Sequence, residues 1–203
     1  MLTLFHAPRS RSTRVLQLIY ALGAENDVEI RVTDIPRRDG SGGADAGNPH
    51  PEKKVPVLVH DGVMIRESGA IMTHLTNLFP DAGLAPAVGT PDHGAYLGWM
   101  AWYGYVFEPV IMMKVTELEN PVFTSSYRGW AEAQAVLDKA LEGQDFLMGD
   151  TISAVDMLVV SPFNWLPALL PDTGPIRAWV DRCRADPSLA KAVAFDNKAL
   201  PPA

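Results

Sequence analysis

Leu2 to Phe5 is an apolar run of strand length, and His6-Ala7-Pro8 ends it. From Ser12 to Leu22 the apolar positions Val15, Leu18, Ile19 and Leu22 recur at helical spacing, with Gly23 just past the end. Val28, Ile30 and Val32 then alternate with Glu29, Arg31 and Thr33, which predicts a second strand. Strand, helix, strand implies parallel pairing through a right-handed crossover. Val55 to Val59 and Val63 to Ile65 read as two more strands joined by Asp61-Gly62, a dipeptide suited to a two-residue hairpin turn that needs positive φ. Ile71, Leu75 and Leu78 form a helical stripe that Pro80 stops. Residues 1–80 are therefore expected to form a small mixed sheet, βαβ then ββα, with helices packed on it.

The pattern changes after residues 81–91, a linker-like stretch with two Pro and two Gly among small residues. Residues 92–119 carry one long helical pattern through Tyr96, Trp99, Tyr103, Val106 and Val110, and Pro109 is expected to bend it. Trp130, Ala133, Leu137 and Leu141 mark a further helix. Ser153 and Asp156 have the spacing of a capping box, with Ile152 placed to start a hydrophobic staple. Pro175 and Pro187 suit the first turns of two last helices. Residues 92–203 are thus expected to be all-helical.

Charge divides along the same line. Residues 1–80 hold nine Lys/Arg and nine Asp/Glu, whereas residues 81–203 hold eight against fifteen and account for the whole net charge of −7. An acidic second half argues against a nucleic-acid partner. No apolar stretch is long enough to span a membrane, and the first segment has no long apolar run before its charges, so neither a span nor a secretory leader is expected. Cys183 is the only cysteine, which leaves no internal disulfide, CxxC redox centre or thiolate zinc site, and a reducing cytoplasmic setting is the simplest expectation. The five His residues show no ligand-like spacing, so no metal is expected.

The candidate chemistry lies around the predicted hairpin. Pro56 lacks an N–H and opens a strand, so the backbone of Val55 is left for an outside partner. At the far end Glu67-Ser68 precedes a helix, where Ser68 can cap it and unpaired N–H groups attract an anion. Arg9, Arg11, Arg14, Lys53 and Lys54 fall in the same half. Together they describe a socket for a peptide-like molecule with a carboxylate. The Gly- and Pro-rich stretch 36–54 shows no apolar periodicity, and a loop of that length is either functional or mobile.

Val-Pro followed eleven residues after Pro56 by Glu67-Ser68, then a linker and an all-helical half with the Ser153–Asp156 box, resembles the cytosolic glutathione transferases over essentially the whole chain. The resemblance implies a thioredoxin-like N-terminal domain that holds glutathione as co-substrate, followed by an all-helical C-terminal domain that lines an electrophile pocket. It implies that Pro56 is cis, that the Val55 backbone pairs with the cysteinyl part of glutathione, and that Glu67 and Ser68 receive the γ-glutamyl end. Lys54 is placed to meet the glycyl carboxylate, with His50 as a further candidate. Members of the family stabilise the thiolate with Tyr, Ser or Cys after the first strand. Here Ser10, followed by Arg14-Val15, resembles the Ser-type, bacterial-like pattern, and Ser12 is its rival. Tyr103 and Phe107, one helical turn apart, are the candidates for the electrophile pocket. The resemblance also implies a homodimer packed through the helix after Ser68 and the helix from Asp92. The alternatives are a glutathione-dependent isomerase and a non-catalytic carrier of glutathione or apolar ligands. A disulfide reductase ranks last, because the first domain has no cysteine.

Overall fold

Strand β1 (Leu2–His6) is buried at every position, as a continuous apolar run requires of a strand covered on both faces. In the computed structural model, which describes residues 1–200, it lies inside a four-stranded sheet of order β2-β1-β3-β4. It pairs in parallel with β2 (Val28–Val32) and antiparallel with β3 (Val57–His60), which in turn pairs antiparallel with β4 (Val63–Arg66). Asp61 and Gly62 close the β3–β4 hairpin with φ of 48° and 84°, the two positive values the dipeptide predicts. Helix α1 (Thr13–Ala21) makes the crossover from β1 to β2, and α2 (Ser68–Leu78) follows β4 and packs on α1. The fold is thioredoxin-like, as the sequence implies.

Two compact units divide the chain: Met1–Ala82 together with the chain from Ala185 on, and Gly83–Arg184. The first is therefore discontinuous. Its last helix, α9 (Pro187–Ala199), begins with Asp186 accepting from Ser188 N at 2.9 Å and packs along α1. The sequence pattern had assigned this helix to the second domain. With α9 and α2 both packed against it, α1 buries six consecutive residues, Arg14 to Ile19, and not only the stripe through Val15, Leu18 and Ile19.

The second unit is helical throughout. Its helices are α3 (Pro91–Trp102), α4 (Glu108–Thr116), α5 (Pro121–Tyr127), α6 (Trp130–Ala140), α7 (Ala154–Trp165) and α8 (Pro175–Arg184). The single helix expected over 92–119 is interrupted by a π-helical turn, Tyr103–Phe107, in which Glu108 N–H reaches back to the Tyr103 carbonyl. Pro109, which lacks an N–H, follows directly, so the helix widens ahead of it. At the start of α7, Asp156 accepts from Ser153 N at 2.9 Å and from Ser153 Oγ at 2.7 Å, as the capping-box spacing predicts. Among the described residues no helix is long and apolar enough to cross a membrane.

Candidate functional site

One row of the sheet gathers the segments singled out by the sequence. Phe5 on β1 stands opposite Val57 on β3, and Val57 stands opposite Arg66 on β4. The chain therefore leaves β1 into the Ala7–Ser12 loop, enters β3 from Val55-Pro56, and leaves β4 into Glu67-Ser68, all at one end of the sheet. The Val55–Pro56 peptide bond is cis. Pairing of β3 with β1 begins only at Val57, and the Val55 N–H and C=O take no part in the sheet or loop hydrogen bonds of the described residues. That leaves both groups available to an extended ligand.

At the β1–α1 loop, Ser10 is half-buried while Ser12 and His6 are fully buried. The Ser12 side chain does not cap α1. It turns back into the loop, with its Oγ 3.1 Å from Ala7 N, 2.8 Å from Ser10 Oγ and 2.8 Å from His6 Nδ1. Ser10 Oγ lies 2.7 Å from the Ala7 carbonyl and accepts from Ser12 N at 3.1 Å. On the far side, His6 Nε2 is 2.8 Å from Asp196 Oδ1 on α9. Asp196 also accepts from Arg9 N and from Thr13 Oγ1, each at 2.7 Å through Oδ2. Burial pushes the Asp196 carboxyl up, but the hydrogen bonds from His6, Thr13 and the Arg9 N–H outweigh it and hold the group below its usual value. An ionised Asp196 can only accept, so His6 donates to it through Nε2–H. The Ser10 hydroxyl donates to the Ala7 carbonyl, and the Ser12 hydroxyl lies within reach of both that carbonyl, at 3.0 Å, and His6 Nδ1.

The Glu67-Ser68 corner has a different construction. Glu67 is the N-cap residue of α2, with φ 68° and ψ 126°, and Ser68 is the first helical residue, so the cap sits one position earlier than expected. A non-glycine residue in that region is held there by its surroundings. Ser68 is buried, and its Oγ accepts from Nε of the buried Arg14 at 3.2 Å. A guanidinium thus lies beneath the first turn of α2, where the open N–H groups already favour an anion.

The 33–54 stretch carries no helix and is held by turns and side chains. Thr33 Oγ1 donates to Asp45 at 2.7 Å, and the buried Asn48 donates to the Lys54 carbonyl at 3.1 Å while accepting from His50 N at 2.9 Å. His50 is buried, and its Nδ1 accepts from Glu52 N at 3.0 Å. Lys54 is exposed and pairs with Glu52 at 2.8 Å. Lys53 curls back to the Asn48 carbonyl at 2.7 Å.

In the second unit, Tyr103 and Phe107 are core residues, 3% and 0% exposed. Phe107 stacks on Trp102 at 4.8 Å and on Trp130 at 6.0 Å, and meets Phe163 at 6.3 Å. Among the described residues, no group of three or more His, Cys, Asp or Glu side chains is arranged to hold a metal ion.

Sequence reasoning did not single out His6 or Asp196. A polar residue ending an apolar strand was the only available signal for His6. Asp196 had none, since its partner lies 190 residues away.

Residues 1–77 match the family model for the glutathione S-transferase N-terminal domain, and residues 103–187 match the model for the C-terminal domain. The probable glutathione S-transferase GSTU6 of Oryza sativa subsp. japonica is 30% identical over 172 residues, 75% of this chain and 72% of the rice protein. Glutathione transferase GST 23 of Zea mays is 31% identical over 131 residues, 60% of this chain, and the match spans just over half, 54%, of the maize protein. Among solved structures, a glutathione transferase of Methylococcus capsulatus str. Bath superposes with a TM-score of 0.78, covering 98% of this chain and 100% of that one at 23% identity. A sphingomonad glutathione S-transferase complexed with glutathione gives 0.74, covering 97% and 100%, also at 23% identity. At that identity the structures establish likeness of fold.

Proposed function

This chain belongs to the glutathione S-transferase family, and on that premise we propose that it binds glutathione on its first unit and holds the thiol as a thiolate for attack on a hydrophobic electrophile. The observation that carries the reading is the shared sheet row, Phe5–Val57–Arg66, from which the Ser10 loop, the free Val55 backbone and the Glu67-Ser68 corner all emerge. In this reading the Val55 N–H and C=O pair with the cysteinyl backbone of the ligand. Its γ-glutamyl carboxylate meets the first turn of α2 above Arg14, Glu67 accepts from its ammonium, and Lys54 exchanges Glu52 for the glycyl carboxylate.

A free cysteine-like thiol has a pKa of about 8.5, so little is ionised at neutral pH. Lowering it by about two units requires about 2.7 kcal/mol in favour of the anion. One hydrogen bond to a charged acceptor supplies roughly 1.5–3 kcal/mol, so a single hydroxyl suffices. Ser10 is that hydroxyl in this proposal: it is half-buried, whereas Ser12 is wholly enclosed and committed to His6. This makes the protein a Ser-type transferase. Tyr103 and Phe107 are the proposed electrophile-pocket residues, and being buried they would back that pocket through the aromatic cluster rather than line it. A homodimer through α2 and α3 is part of the proposal, supported by Leu78 and Leu97, large apolar side chains exposed on those helices. So are a role in detoxification and a cytoplasmic setting, the latter consistent with a single buried free cysteine. Turnover of an activated aryl halide with glutathione, before and after Ser10→Ala, tests the reading. A large loss supports it, and unchanged turnover removes Ser10 from the mechanism.

A further inference from the structure

Hydroxyl donation stabilises a thiolate but does not say where the thiol's proton goes. From the half-buried Ser10 a line of contacts runs inward through Ser12, at 2.8 Å, to His6 Nδ1, at 2.8 Å, and from His6 Nε2 to Asp196, again at 2.8 Å. Ser12, His6 and Asp196 are buried, and His6 has no surface exposure at all. We propose that His6, oriented by Asp196, is the proton acceptor for glutathione bound at Ser10, with Ser12 as the relay between them. This rests on the glutathione-binding reading above and adds to it a positioning pair that the transferase role does not by itself assign.

The step balances. The S–H bond of the thiol breaks and its proton goes to Ser10 Oγ, as the Ser10 proton swings from the Ala7 carbonyl to Ser12 Oγ and the Ser12 proton passes to an unprotonated His6 Nδ1. Both serines end with one proton each, and the Ser10 hydroxyl now points at the sulfur. The products are a thiolate and an imidazolium whose Nε2–H still faces the Asp196 carboxylate. Imidazole is suited to this because it exchanges its proton near neutral pH, and the carboxylate both fixes the tautomer and stabilises the cation that forms. Asp196 comes from α9, so docking of the last helix on α1 completes the pair.

The other groups facing His6 and Asp196 are few. The Arg9 guanidinium from the loop donates to Asn197 on α9 at 3.0 Å, and Phe195 meets the His6 ring edge-on at 5.6 Å. Thr13 and Tyr20 face the pair from α1. Burial, then the nearby Glu25 and Asp196 charges, push the Tyr20 phenol up, and Lys191 sits over its ring while pairing with Glu25 at 4.0 Å.

The test uses the whole protein saturated with glutathione. Thiolate is followed by its ultraviolet absorbance and His6 by nitrogen NMR of ring-labelled histidine, both as functions of pH. The proposal predicts that His6 Nδ1 takes up a proton when the bound thiol ionises, at the same midpoint. In Asp196→Asn the thiolate midpoint rises by about one unit, a tenfold loss of thiolate at fixed pH. Thr13→Val, which loosens α9 but keeps the His6–Asp196 contact, moves the midpoint less than Asp196→Asn does. A purely structural role for the pair would move both variants alike. Thiolate forming while His6 stays neutral overturns the relay and leaves the glutathione site standing. No binding of glutathione at all overturns both. If Asp196→Asn does not fold, the measurement on the unaltered protein decides.

Discussion

Two buried aspartates tie this molecule together, and they do so for different ends. Asp156, at the start of α7, is fully buried and accepts four hydrogen bonds: Ser153 N and Oγ on one oxygen, Leu147 N and the Trp179 indole on the other. Burial pushes its carboxyl up against those donors. Every partner belongs to the scaffold of the second unit, and the arrangement fixes a helix start against α8. Asp196 makes three contacts, and each of them ends on the segment that carries Ser10: Arg9 N, Thr13 Oγ1 and the His6 ring. One acid holds a fold, and the other aims a loop. The lesson is that similar burial and similar satisfaction do not imply a similar role; what the partners themselves touch decides it.

Removing Asp156 should have the largest effect on stability. Asp156→Ala strands four buried donors, and we expect a loss of about 3–5 kcal/mol in urea unfolding with little change in glutathione affinity measured on the folded fraction. A loss in affinity as steep as that in stability would erase the contrast with Asp196. Ser10→Ala should act the other way, leaving the urea midpoint nearly unmoved and lowering kcat/KM by about 10- to 100-fold, the worth of one hydrogen bond to a charged group.

Ser68→Ala should come next, weakening glutathione binding about five- to tenfold in calorimetry as one hydroxyl above Arg14 is lost. Acid should give the smallest effect. Because the folded Asp196 carboxyl lies below its unfolded value of 3.8, its contribution to stability is complete above that pH and is lost as pH falls through the lower folded value. Melting curves on acidification should therefore fall less steeply for Asp196→Asn than for the unaltered protein. Identical slopes would mean that Asp196 anchors nothing.

Much of this architecture is legible from local pattern. The alternation through Val28–Val32, the Asp61-Gly62 turn and the Ser153–Asp156 box each depend on neighbours within a few residues, and each takes the expected form. Four features resisted for physical reasons. Arg14 and Gln17 are buried in α1 though polar, so the stripe read from apolar residues alone understated how much of the helix is covered. The turn at Tyr103–Phe107 depends on how a helix relaxes ahead of Pro109, which periodicity does not record. Ser68 looked like a cap by residue type, yet the positive φ of Glu67 places the cap one position earlier. The Ser10 loop, Val55-Pro56 and Glu67-Ser68 were each recognisable as segments, and it is the strand register that brings them to one end of the sheet. Asp196 was out of reach because a carboxylate on a surface-like helix gives no sign of a histidine at the other end of the chain.

The most direct test of the central claim is an ultraviolet titration of glutathione bound to the protein and to its Ser10→Ala variant. The account predicts that the thiol ionises well below its free value on the unaltered protein and shifts back toward that value in the variant. Equal midpoints for the two, or a midpoint equal to that of free glutathione on the unaltered protein, would contradict it.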